Sequence, residues 1–95
     1  MDTIYRLPSG AKKPQRLARG HANGSITALA VDDQYVYWGE YMTGSTRGKI
    51  WRLPKAGGGE PHAIADCGET TRLVFYGPDL YWADARLNQI ARVRR

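Results

Sequence analysis

The sequence predicts an all-β chain of nine short strands, and three observations carry that prediction. Six Tyr, three Trp and one Phe stand against only two Met, an aromatic-rich mix that favours strands over helices. Gly and Pro together number 16 of 95 residues, too many helix breakers for a bundle of this length. Short apolar runs alternate with turn-forming clusters along the whole chain. The runs place strands at 3–7, 14–19, 26–31, 35–41, 49–54, 61–66, 71–76, 80–84 and 89–94. Between them lie breakers at 8–10, 21–24, 32–34, 43–48, 54–59, 77–79 and 86–88. Asp32-Asp33-Gln34 and Gly77-Pro78-Asp79 have the length of tight hairpin turns. The run from Ile26 to Val31 is apolar on both faces, the pattern of a strand buried between two sheets. Ile50-Trp51-Arg52-Leu53 has the alternation of a half-exposed strand.

The strands recur in a fixed order. Ile4-Tyr5-Arg6-Leu7-Pro8 returns as Ile50-Trp51-Arg52-Leu53-Pro54, and in weaker form as Ile90-Ala91-Arg92-Val93. Pro14-Gln15-Arg16-Leu17-Ala18 matches Pro61-His62-Ala63-Ile64-Ala65. Ile26-Thr27-Ala28-Leu29-Ala30-Val31 matches Thr71-Arg72-Leu73-Val74-Phe75, and Val36-Tyr37-Trp38-Gly39-Glu40 matches Leu80-Tyr81-Trp82-Ala83-Asp84. Repeats of 40 to 46 residues with four strands each are the signature of a β-propeller blade. The expected fold is therefore two four-stranded antiparallel blades, completed by oligomerisation or strand exchange. Naming the strands of a blade A to D, residues 1–24 supply C and D, 25–68 a whole blade, and 69–95 A, B and C.

The last copy, from Leu80-Tyr81-Trp82-Ala83-Asp84 through Ile90-Ala91-Arg92, resembles the YWTD propeller family, whose blades read Tyr-Trp-Thr-Asp, a turn, then Ile-x-Arg. Tyr37-Trp38-Gly39-Glu40 is a degenerate copy, and Gly57-Gly58-Gly59-Glu60-Pro61 is similar to the stretch between the third and fourth strands of bacterial propeller relatives. The resemblance implies that Tyr37, Trp38, Tyr81 and Trp82 are structural and pack between neighbouring blades. It implies that Asp84, and Glu40 with one methylene more, brace a blade to its neighbour through hydrogen bonds. Its six-bladed rings imply three copies of a two-blade chain, with four copies or a swapped dimer as alternatives. The D strand at 14–19 would complete the last blade of another copy, and one of the three C strands, 4–7 or 90–93, would then be displaced.

Chemistry-bearing motifs are few. His21 and His62 stand apart with no metal-ligand spacing, the serines sit in turns, and Gly57-Gly58-Gly59 is not followed by the Lys-Ser/Thr of a phosphate loop. A single cysteine, Cys67, excludes an internal disulfide and any multi-cysteine zinc site. No catalytic residue, metal or cofactor is expected. If a ligand binds, strand direction gathers residues 20–25, 42–48, 67–70 and 85–88 on one rim, where His21, Arg47, Arg86 and Asn88 are the polar candidates. The leading expectation is a non-catalytic binding or scaffold module formed by self-association; the alternative is a lectin-like or small-ligand propeller with sites repeated between blades. Residues 1–24 carry five bases and one acid, 85–95 four bases and no acid, and 25–84 five bases and eight acids. Two basic ends around an acidic centre suit complementarity between copies; without an accompanying nucleic-acid motif, nucleic acid is not an expected partner. No apolar run reaches the roughly 18 residues of a membrane span. Nor does the start show a charged-then-apolar leader, so no signal peptide is expected and the compartment stays open.

Overall fold

Among the described residues nine antiparallel strands are joined as hairpins within each of three sheets. They are β1 (Thr3–Arg6), β2 (Gln15–Arg19), β3 (Gly24–Val31), β4 (Tyr35–Met42), β5 (Gly48–Pro54), β6 (His62–Cys67), β7 (Thr70–Tyr76), β8 (Asp79–Asp84) and β9 (Gln89–Arg94). A computed structural model describes residues 2–45, 47–85 and 88–95; among these there is no helix. The strands form three sheets: β1-β2, β3-β4-β5-β6 and β7-β8-β9. The chain is all-β, as its composition predicts, and by itself forms one four-stranded sheet flanked by a sheet of two strands and a sheet of three.

Strand alternation explains how the sheets stack. On β4, Val36 and Trp38 point to one side and Tyr37 to the other. Val36 and Trp38, with Leu53 of β5, pack against Ile4 and Ala18 of the first sheet. Tyr37 and Ile50 pack against Leu73, Leu80 and Trp82 of the third. The middle sheet is thus covered on both sides, and each buried face comes from a strand with period-2 apolar spacing. Between the middle and third sheets β7 lies against β3 and β4, where the Thr27 hydroxyl donates to the Thr70 carbonyl.

The two A-type strands carry the same irregularity. Register shifts between Ile26 and Ala28 against β4, and between Thr70 and Leu73 against β8. Their surroundings differ, however. Leu73 is 7% exposed, whereas Leu29, at the matching place opposite a tryptophan, is 53% exposed, and Val31 is half exposed. The double-sided burial expected of Ile26 to Val31 does not hold within one chain. The first sheet has only two strands and does not extend over β3.

The hairpin at residues 32–34 fastens the chain's last residue. Asp32 Oδ1 accepts from the Gln34 and Tyr35 amides, at 2.8 and 2.7 Å. Its Oδ2 accepts from the Tyr37 hydroxyl (3.0 Å) and from Arg95 Nη1 (2.9 Å). Arg95 also donates to the Gly77 carbonyl and lies 4.4 Å from the Phe75 ring centre, which clamps β9 to both hairpin turns. Burial alone would raise the Asp32 carboxyl; the Tyr35 and Gln34 amides, the Tyr37 hydroxyl and Arg95 outweigh it and hold the group below its ordinary value of 3.8. A depressed folded-state pKa contributes stability above the unfolded value that is lost as pH falls through the folded one. Asp32→Asn is therefore expected to lower the melting temperature at pH 7, and by progressively less as pH falls from 3.8 toward 2. A melting difference between the two proteins that does not shrink across that range would remove Asp32 from the acid response.

Candidate rim grooves and the acids that shape them

Each B-type strand ends in a buried acid that reaches the loop leading into its own sheet. Glu40, 2% exposed, ends the apolar part of β4 on the side facing the first sheet. Its Oε2 accepts the His21 amide at 2.6 Å, and its Oε1 lies 2.7 Å from His21 Nδ1. Asp84, 4% exposed, ends β8 on the side facing the middle sheet, and its Oδ2 accepts the Gly68 amide at 2.8 Å. A carboxylate satisfied by a backbone N–H in a loop is the reason both loops run where they do.

The glycines of these loops are sized to the acids. A Cβ on Gly68 would lie 2.5 Å from both Asp84 oxygens, and one on Gly24 would lie 2.4 Å from Glu40 Oε2. The loop before β3 is longer than the loop before β7, and the longer acid serves it. Just beyond each acid the chain donates back to the same loop, from Thr43 to the Asn23 carbonyl and from Ala85 to that of Glu69.

Two grooves open beside these loops. The first, about 620 Å³, is lined by His21, Glu40, Met42, Arg47, Gly48, Lys49, Trp51, Asp66 and Cys67. The second, about 900 Å³ and more open, lies between the middle and third sheets and includes Gly68, Glu69, Trp82, Asp84, Gln89 and Ala91. Within the first groove the His21 ring tilts over Trp51, with centres 5.4 Å apart, and Lys49 Nζ pairs with Asp66 at 2.7 Å. Cys67 lies between the grooves. Burial pushes its thiol up, as do the Asp84 and Asp66 charges, and the nearby Thr70 side chain and Lys49 offset only part of this, so no ready thiolate forms.

Comparison with known proteins finds no matching family model, curated protein or solved structure.

The residues singled out by sequence fall into three groups. His21 and Arg47 both line the first groove, and Arg47 lines the second as well. Asn88 lies outside both grooves, in the turn before β9 at φ 52°, a left-handed position that Asn tolerates better than most residues. Arg86 lies outside the described residues. Of the four aromatics, Tyr37, Trp38 and Trp82 are buried, while Tyr81 is half-exposed on the outer face of the third sheet. In the sequence His21 stands isolated, and no motif marks Lys49 or Asp66. Glu40 and His21 are 19 residues apart, and only strand register brings them together. Among the described residues no group of three or more His, Cys, Asp or Glu is placed to hold a metal. No helix there is long and apolar enough to cross a membrane.

Proposed function

We propose that this chain is a non-catalytic β-propeller unit of about two blades that self-associates head to tail into a closed ring and offers the ring's rim for binding. The observation that carries this reading is the match between its two uncovered faces. In the repeat, Ile90 corresponds to Ile50 and Tyr81 to Tyr37. Ile50 is 0% exposed because the third sheet covers it; Ile90, on a face nothing covers, is 78% exposed. Val74 and Tyr76 are exposed on that same face. On the opposite side of the molecule, Leu29 and Val31 are exposed where the first sheet lacks A and B strands. Laying the third sheet of one copy beside β2 of the next places Val74 and Tyr76 over Leu29 and Val31, and Ile90 where Ile4 sits. A face that the chain covers in one repeat and leaves bare in the next calls for another copy.

Such a junction leaves one C-type strand over, and β1 is the one that yields. It has four residues against six in β9, its register with β2 slips between Ile4 and Tyr5, and Tyr5 and Leu7 are already exposed. β9 keeps its full pairing with β8 and its Arg95 clamp, and takes β2 of the next copy as its D strand. The junction is heterologous, so it closes when the rotation suits the blade number. The family resemblance favours six blades from three chains. Deleting residues 1–8 is expected to leave the assembled mass at the same number of chains, and deleting 1–20 to abolish assembly. An assembly lost with 1–8, or kept without 1–20, would contradict the exchange.

A further inference from the structure

We propose that the groove around His21, Arg47, Lys49, Trp51 and Asp66 is a binding site for a small ring-borne carboxylate. This deepens the binding half of the reading above and does not depend on the ring, since the groove lies within one chain. The repeat itself serves as the control. Where both repeats must satisfy the fold they agree: a buried acid holds a loop amide in each. Around the grooves they differ. Strand pairing aligns Lys49 with Gln89 and Trp51 with Ala91, and the loop that carries His21 in the first repeat carries Gly68 and Glu69 in the second. The third sheet forms its strands with Gln and Ala at those places; here Lys49 is exposed, and Trp51 packs on the buried cluster of Val36, Trp38 and Leu53 while also lining the groove. His21, Lys49 and Trp51 thus give the first groove a lining that the second lacks, with Arg47 and Asp66 at the edge of both.

Their chemistry selects the ligand. His21 and Trp51 form a tilted ring pair in contact, with centres 5.4 Å apart, and the part of that pair open to the groove offers a flat surface to the face of a six-membered ring. Glu40 is acceptor-only as a carboxylate, so the proton between it and His21 sits on Nδ1, which fixes the imidazole against the groove wall. The charges of Lys49 and Asp66 balance each other. Arg47, exposed at the edge of both grooves, makes no side-chain ion pair among the described residues; its charge reaches Asp66, which Lys49 already holds, and its exposed guanidinium donors are open to an anion. A carboxylate at Arg47 with its ring on Trp51 uses both features.

The test is an amide chemical-shift titration of the whole chain with two probes, D-glucuronate for a sugar acid and benzoate for an aromatic acid, with D-glucose and benzyl alcohol as neutral partners. Saturating shifts at residues 21–24, 47–51 and 66 are expected for one acid or both, and which acid responds identifies the source of the ring. Lys49→Gln with Trp51→Ala gives the first groove the second repeat's residues; it is expected to lower the melting temperature, because Trp51 packs on the first core cluster, to keep β-type circular dichroism, and to weaken binding at least tenfold. Arg47→Gln is expected to reduce binding of the acid to that of its neutral partner. Shifts equal for acid and neutral probes, shifts unaltered in the double variant, or no shifts with either acid would each overturn the site. A chain that binds an acid yet stays a monomer would contradict the ring alone.

Discussion

Asp84→Ala is expected to lower the melting temperature by roughly 10 °C, whereas Asp79→Ala lowers it by no more than a few degrees. Asp84 is buried, and its carboxylate satisfies the buried Gly68 amide. Its removal strands that N–H beside a small void, at about 1–3 kcal/mol. In a chain of this size each kcal/mol moves the midpoint by about 4–8 °C. Asp79 is partly exposed and faces Arg92 at 3.5 Å, a surface pairing worth about 1 kcal/mol or less. Gly68→Ala approaches the same contact from the other side, since its Cβ would press on both carboxylate oxygens, and it is expected to destabilise as well. Thermal melts of the three variants decide the matter. Equal, small losses for Asp84→Ala and Asp79→Ala would deny Asp84 its bracing role.

The second large effect falls on assembly and leaves the chain's own fold in place. Leu29→Asp and Val74→Asp lie on opposite outer faces, each about half exposed within one chain. Neither should disturb a single chain by more than about 0.5 kcal/mol, the usual range for surface positions. In the ring each would bury a carboxylate among apolar side chains, which costs several kcal/mol unless it is paired. Each variant alone is expected to reduce the assembly to single chains of 10.6 kDa with β-type circular dichroism unchanged. Because the proposed junction joins unlike faces, each variant would spoil one face and leave the other competent. A ring that persists in both variants would mean that these faces do not meet.

Much of the fold was legible in the sequence because hairpins are local. The turns at residues 32–34 and 77–79 and the alternation on β4 and β5 need only neighbours to define them. β3 starts earlier than expected, at Gly24, because Gly24 and Ser25 pair with Met42 and Tyr41, a matter of register rather than composition. Tyr81 matches Tyr37 in sequence but not in burial, since burial depends on whether another sheet follows. The first groove was only half legible. Its rim loops follow from strand direction, but the His21–Glu40 contact depends on a loop of particular length carrying an imidazole back to the acid. Lys49 and Asp66 read as ordinary strand charges until the pairing of β5 with β6 placed them side by side.

The ring is the central claim, and the mass of the unmodified chain in solution tests it most directly. Light scattering coupled to size exclusion, at micromolar concentration, is expected to give three times 10.6 kDa, unchanged on dilution within the assembled range. Head-to-tail closure explains such a mass, because it covers the Val74–Tyr76–Ile90 face of each copy with the Leu29–Val31 face of the next. A well-folded species of 10.6 kDa at the same concentration would contradict the ring and the swapped dimer together.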